Sequence, residues 1–234
     1  MRAVESNIKK LTDIMTELGQ KFGAEKAFRD WCALYALAIA NTVAVKGSNT
    51  WAHREEEFKR IMKTYDSIEP FARMSTHLVE TFEAEPFFDH LGRVYMELFC
   101  GNKDLGQCFT PYGLSQAVAQ IGCSDDITPE FRTLNDCACG GGALLIAACE
   151  AYHKRGVNYQ TYLKIEAADL DILCVHMCYI QLSLLGARAT VYHRNTITMQ
   201  TYDRYDTPMS VLWPMTLDMT PRDPVQRSLF EVQT

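Results

Sequence analysis

The sequence predicts an α/β fold in two parts: a helical region over residues 1–104, then an α/β unit with a parallel sheet over residues 105–234. Three observations carry this. Apolar residues recur at helical spacing from Glu5 to about Cys100. After Gly101 the pattern changes to short apolar or β-branched runs that alternate with helical stretches. A glycine-rich junction, LNDCACGGGALLIAA at 134–148, leads from a strand into a helix.

In the first part, Ile8, Leu11, Ile14, Met15 and Leu18, then Phe28, Trp31, Leu34, Tyr35 and Ala38, lie three or four residues apart and so share helix faces. About five helices are expected, packed as a bundle. Gly19 and Gly23 mark one helix end, residues 47–49 a turn, and Pro70 and Pro86 later helix starts. The charged block EEEFKR at 55–60 reads as a solvated helix face. In the second part, strands are expected over 132–136, 163–169, 189–193 and 209–213, with helices over 111–121, 142–155 and 172–185. There is neither an internal repeat nor a flexible linker, so the two parts are expected to pack together.

With 234 residues, 47% of them hydrophobic, the chain can bury a full core. The weakly polar run over 33–45 is too short for a membrane span and contains Asn41 and Thr42, so it reads as a buried helix. The first ten residues, MRAVESNIKK, lack the apolar stretch of a secretory signal, and nine irregularly spaced cysteines suggest no disulfide framework. A reducing cytoplasm fits. The CAC of 137–139 and the pair Cys174 and Cys178 lack zinc-finger spacing, so no metal is expected; Cys174 and Cys178, four apart on a helix, read as core. His53, His77, His90, His176 and His193 are scattered, with no acid or nucleophile at a telling distance, and Trp31 and Trp51 read as packing residues. The net charge of −6 opposes autonomous DNA binding, which rests on a basic surface, although a basic groove or partner subunit could supply one.

The chemistry concentrates in three places. Gly140, Gly141 and Gly142 permit tight backbone approach, and the helix that follows presents unpaired amides to a polar ligand. Such turns serve several cofactors, and the alternative is a plain tight turn. Some thirty residues later, IEAADLDILC ends a strand at Asp169, whose carboxylate could accept hydrogen bonds from both ribose hydroxyls of an adenosyl group or instead cap the helix starting near Ile172. In LGQCFTPYGLSQAVAQI at 105–121, Thr110 can cap a helix whose first residue is Pro111.

In this order the three pieces resemble the adenine-specific DNA methyltransferases, in particular the modification subunits of type I restriction systems. DHLGRVYMELFCGNKDLGQCFTP resembles the stretch leading into that family's G-Q-F-F-T-P element, and DCACGGGALL its D-P-A-C-G-S-G-G-F-L, with Cys137 for proline and Ala143 for glycine. DLDILCVHMCYIQLSLLG is similar to its acidic strand end and following helix, and HRNTI to its G-D-T-L turn, with Asn195 where aspartate is usual. The likeness runs from about Asp89 to Thr198 and implies a Rossmann-like S-adenosylmethionine (SAM)-dependent methyltransferase sheet. It implies that Gln107 and Thr110 border the methionine end of SAM, that Asp136, Ala138, Gly140 and Gly142 line its approach to the sheet, that Asp169 holds the ribose, and that Asp171 and Asn195 lie near the adenine.

The family transfers the methyl group through an N-P-P-Y-like or N-P-P-F-like loop at the end of its fourth strand, whose acceptors orient the target amine while the aromatic residue stacks on the flipped base. Here MSVLWPMTLD stands in the expected place, with Trp213, Pro214 and Met215 aligned to that loop. An indole donates but does not accept, and losing an acceptor that acts in the transition state costs on the order of 100-fold in rate. About twenty residues follow Met215, fewer than the family's further strands and target-recognition region need, so a sheet cut short at its C-terminal end is expected. The resemblance thus implies a SAM-dependent DNA adenine methyltransferase-like protein of a restriction-modification type system. It would need a partner subunit for catalysis and DNA contact, or form a homo-oligomer. The alternative is a catalytically inactive SAM-binding or interaction module within such a complex.

Overall fold

The computed structural model describes residues 2–99, 110–122 and 129–213. Five helices come first: α1 (Arg2–Phe22), α2 (Ala24–Val43), α3 (Asn49–Met62), α4 (Glu69–Ala84) and α5 (His90–Phe99). Then follow α6 (Tyr112–Gly122), β1 (Arg132–Asp136), α7 (Ala143–Lys154), α8 (Tyr159–Tyr162), β2 (Leu163–Asp169), α9 (Ile172–Leu184), β3 (Arg188–Asn195), β4 (Gln200–Asp206) and α10 (Pro208–Leu212).

The helical spacing of α1 buries Val4, Ile8, Leu11, Ile14 and Met15 on one face, which packs against α4 and α2. Gly23, at φ 88°, takes a left-handed backbone that breaks α1 from α2. Ser48 caps α3 by accepting from the Trp51 amide at 3.2 Å, and Pro70 sits in the first turn of α4. On α2, Phe28 and Trp31 are buried, and the helix lies against α9, so one continuous apolar core joins the bundle to the sheet layer. Among the described residues no helix is long and apolar enough to cross a membrane.

The sheet has the order β1-β2-β3-β4, with β1, β2 and β3 parallel and β4 antiparallel to β3. Alternation along β2 turns Leu163, Ile165 and Ala167 toward the helices and Lys164 and Glu166 to the opposite face, where they pair at 2.7 Å. The same opposite face carries Arg188, Thr190, Tyr192 and Arg194 of β3 with Arg204 and Asp206 of β4. Arg204 pairs with Asp206 at 2.9 Å, and Arg194 stacks over Tyr192 at 4.1 Å.

The α/β class, the bundle and the first three strands are as the sequence predicts. The fourth strand is not. The run over 209–213, expected as a strand, is the helix α10, because Thr207 caps it and Pro208 opens its first turn. The Thr207 hydroxyl also accepts from the Ala189 amide at 3.0 Å and donates to the Ala187 carbonyl at 2.7 Å, pinning the start of α10 beside the start of β3. The true fourth strand, QTYDRYD, buries only Tyr205 in the core and so lacks the apolar alternation that marks a strand.

Candidate functional site

β1 delivers Asp136 to the C-terminal end of the sheet, where the chain turns through Gly140 (φ 51°) and Gly142 (φ 95°) into α7. Gly142 must be glycine on two counts: its backbone is left-handed, and a Cβ there would lie 3.1 Å from Cys178 Sγ. The turn is fastened to β2 by the Cys139 amide donating to the Ala168 carbonyl at 3.0 Å and the Gly140 amide donating to Asp169 Oδ2 at 2.9 Å. Asp169 Oδ1 accepts from the Asp171 amide at 2.9 Å. Each carboxylate oxygen offers about two acceptor sites, so capacity for ligand hydroxyls remains.

Above this floor lies a cleft of about 580 Å³, within the range of cofactor pockets. Asp136, Ala138, Gly140 and Asp169 form its base, and Leu114, Ser115 and Val118 of α6 form one wall. Thr110 stands at its edge just before α6, which begins at Tyr112, one residue after the expected first helical residue. Glu150 anchors α6 to α7 by accepting from Tyr112 Oη at 3.0 Å and Gln116 Nε2 at 2.8 Å. Burial raises the Asp136 carboxyl above the usual carboxylate range, the Ala138 amide opposes this, and the Asp169 charge adds to it. A hydrogen bond with the free thiol of Cys178, and then burial, push the Cys139 thiol far up, so it is an inert thiol.

Two features of the cleft decide what it fits. It has two carboxylates, and among the described residues that line it there is no lysine, arginine or histidine. A phosphate-bearing cofactor would meet like charge there, whereas a ligand with a cationic centre would be attracted. The Ser115 hydroxyl is buried with no hydrogen-bond partner among the described residues, a polar atom that a ligand could satisfy. Both features suit a cationic nucleoside such as SAM.

The structure brings Thr110, Asp136, Ala138, Gly140 and Asp169 together around the cleft, with Gly142 directly behind as the first cap of α7. It does not bring Asp171 or Asn195 to the cleft lining. Asp171 caps α9 through the Leu173 amide at 2.9 Å and holds Arg29 of α2 at 3.1 and 3.4 Å. Asn195 accepts from the amides of Ile197 and Thr198 at 3.0 and 3.1 Å, shaping the turn into β4. Gln107, Pro214 and Met215 lie outside the described residues.

Trp213 lies at the other end of the sheet, which corrects its expected place beside the cofactor. Its ring packs on the Arg188 guanidinium at 4.7 Å, and Phe131, just before β1, packs on the same group at 5.2 Å. Arg188 begins β3, whereas Asp169 is in register with His193, five residues on, or about 16 Å along the strand. The placement follows from the sequence 209–213 being a helix that starts where β4 returns to the beginning of β3. The α6 wall went unrecognised in the sequence, although Leu114, Val118 and Ile121 form a second apolar stripe beside the buried one of Tyr112, Ser115 and Ala119.

Residues 88–219 match the family model for N-6 DNA methylases. No curated protein is detectably similar in sequence. Among solved structures, one described as a class I S-adenosylmethionine-dependent methyltransferase from Listeria monocytogenes superposes with a TM-score of 0.50 and 14% identity. The alignment covers 81% of this chain and 52% of that one, so this chain spans about half the length of its structural neighbour, and the likeness is one of fold. The family match extends over more than half of the 234 residues, from the segment before α5 through the whole glycine cleft and sheet, and the chain belongs to the N-6 DNA methylase family.

Proposed function

We propose that this chain binds SAM in the glycine cleft and serves a DNA adenine methyltransferase of a restriction-modification type system, acting in the cytoplasm with a partner subunit that contacts DNA. The observation that carries the reading is a glycine-turn cleft with Asp136 and Asp169 at its base and no basic side chain among its described lining residues. When bound, SAM supplies a methyl group on a cationic sulfur. In this reading Asp169 accepts from the ribose hydroxyls, Asp136 and the Ala138 backbone border the path to the sheet, and Thr110 with Gln107 borders the methionine end. The Leu114 and Val118 wall excludes water from one side.

A second reading, a SAM-binding module without catalysis of its own, is favoured by two further observations. The sequence has no Asn-Pro-Pro run, and Trp213 lies at the far end of the sheet from the cleft. Calorimetric titration with SAM, set beside an Asp169→Ala variant, tests the pocket: binding by the wild type and a loss of about ten-fold or more in the variant is expected. A folded wild type that does not bind SAM refutes the proposal. Transfer of labelled methyl from SAM to DNA, assayed with candidate partner subunits, then separates the readings. Incorporation supports the enzyme, and SAM binding without incorporation supports the module.

A further inference from the structure

We infer that Asp89 and Gln181 form a buried clamp that positions the glycine turn from behind, making Asp89 a positioning residue of the cleft; this rests on the reading that the cleft binds SAM. Asp89 stands immediately before α5 and its Oδ1 accepts from the Gly92 amide at 2.9 Å, the pattern of an ordinary helix cap. A cap needs one such bond and usually sits in water. Asp89 is instead 4% exposed, and its Oδ1 also accepts from Gln181 Nε2 at 2.7 Å.

Gln181, on α9, is fully buried and uses both ends of its amide. Its Nε2 also donates to the Gly141 carbonyl at 2.7 Å, and its Oε1 accepts from the Leu91 amide at 3.0 Å. The start of α5, the glycine turn and α9 thus meet in one dry hydrogen-bonded group, where each unmade bond would carry its full desolvation cost. Two glycines make room for the carboxyl. A Cβ at Gly92 would lie 2.0 Å from Asp89 Oδ2, and one at Gly141 3.3 Å from Asp89 Oδ1. The turn is therefore held from two sides: Asp169 grips the Gly140 amide from the cleft, and Gln181, braced by Asp89, grips the Gly141 carbonyl from the interior. Burial raises the Asp89 carboxyl, with Gln181 and Gly92 opposing, so the site asks for an acceptor oxygen rather than a charge.

Hydrogen exchange at the Gly140 and Gly142 amides of the ligand-free chain, together with SAM titration, tests the clamp in Asp89→Asn, Asp89→Ala and Gln181→Met. Asp89→Asn keeps an acceptor oxygen and is expected to stay within about two-fold of the wild type in both measurements. Asp89→Ala and Gln181→Met are expected to speed exchange at the turn about ten-fold and weaken SAM binding similarly, with exchange in β2 unchanged. Unchanged exchange at the turn, equal loss of protection in β2, or an Asp89→Asn variant as impaired as Asp89→Ala overturns the inference. If the wild type does not bind SAM, the functional reading fails while the exchange pattern still decides the clamp. If Asp89→Ala does not fold, Gln181→Met carries the same comparison.

Discussion

His176 and His90 show what burial does to a single side chain here. Both are enclosed and held neutral, with their pKa lowered by burial to about 4 from an ordinary value near 6.5. A histidine lowered on folding favours the native state above its unfolded pKa, and that contribution is lost as pH falls through 6.5 toward the folded value. The melting temperature is therefore expected to drop between pH 7 and pH 5, and His176→Gln, measured at both values, should show a smaller drop than the wild type. Gly142→Ala should destabilise the chain by about 1–3 kcal/mol in urea unfolding, through its left-handed backbone and the nearby Cys178 sulfur. At this scale the positions of Asp169 at a strand end and of the glycines at a strand-to-helix junction were legible, although each taken singly fits a helix cap or a plain tight turn equally well. Spacing alone could not say which of Asp169 and Asp171 caps α9. The backbone decides it: Asp171 adopts the extended cap conformation, while Asp169 bonds back to the glycine turn.

Among the elements, α2 and α9 show how the bundle is fastened to the sheet layer. Their apolar faces pack together, and Arg29 reaches from α2 to the Asp171 cap of α9. Both partners are partly exposed, so Arg29→Ala is expected to cost below about 1 kcal/mol in denaturant unfolding. A loss of several kcal/mol would mean that this pair, rather than the apolar contact, holds the two layers together. The long helices and the strands β2 and β3 could be read from apolar periodicity or unbroken apolar runs, and β1, largely exposed, from the glycine junction that follows it. β4 and α10 could not. The strand buries a single aromatic, Tyr205, on one face and carries Arg204 and Asp206 beside Tyr192 on the other, and a five-residue apolar run fits a helix as well as a strand until its cap is seen.

For the whole molecule, the decisive fact is that the sheet has two unlike ends. The cleft occupies one, and the Phe131, Arg188 and Trp213 stack closes the other. Trp213→Asn is accordingly expected to confer no methyl transfer and to lower stability by about 0.5–2 kcal/mol, as the ring's cation–π contact is lost; gain of DNA methylation in the labelled-SAM assay would show instead that Trp213 reaches the cleft. Position along the sequence does not show this end-to-end placement, because the antiparallel β3–β4 hairpin carries the chain back to the starting end of β3. The sheet is equally unlike across its thickness. On the face turned from the helices, the strands carry Lys164, Arg188, Arg194 and Arg204 against Glu166 and Asp206, on a chain whose net charge is −6. Two of those four cations, Lys164 and Arg204, are tied to Glu166 and Asp206, so the excess of base on this face is a local one, carried by Arg188 at one end of β3 and Arg194 at the other.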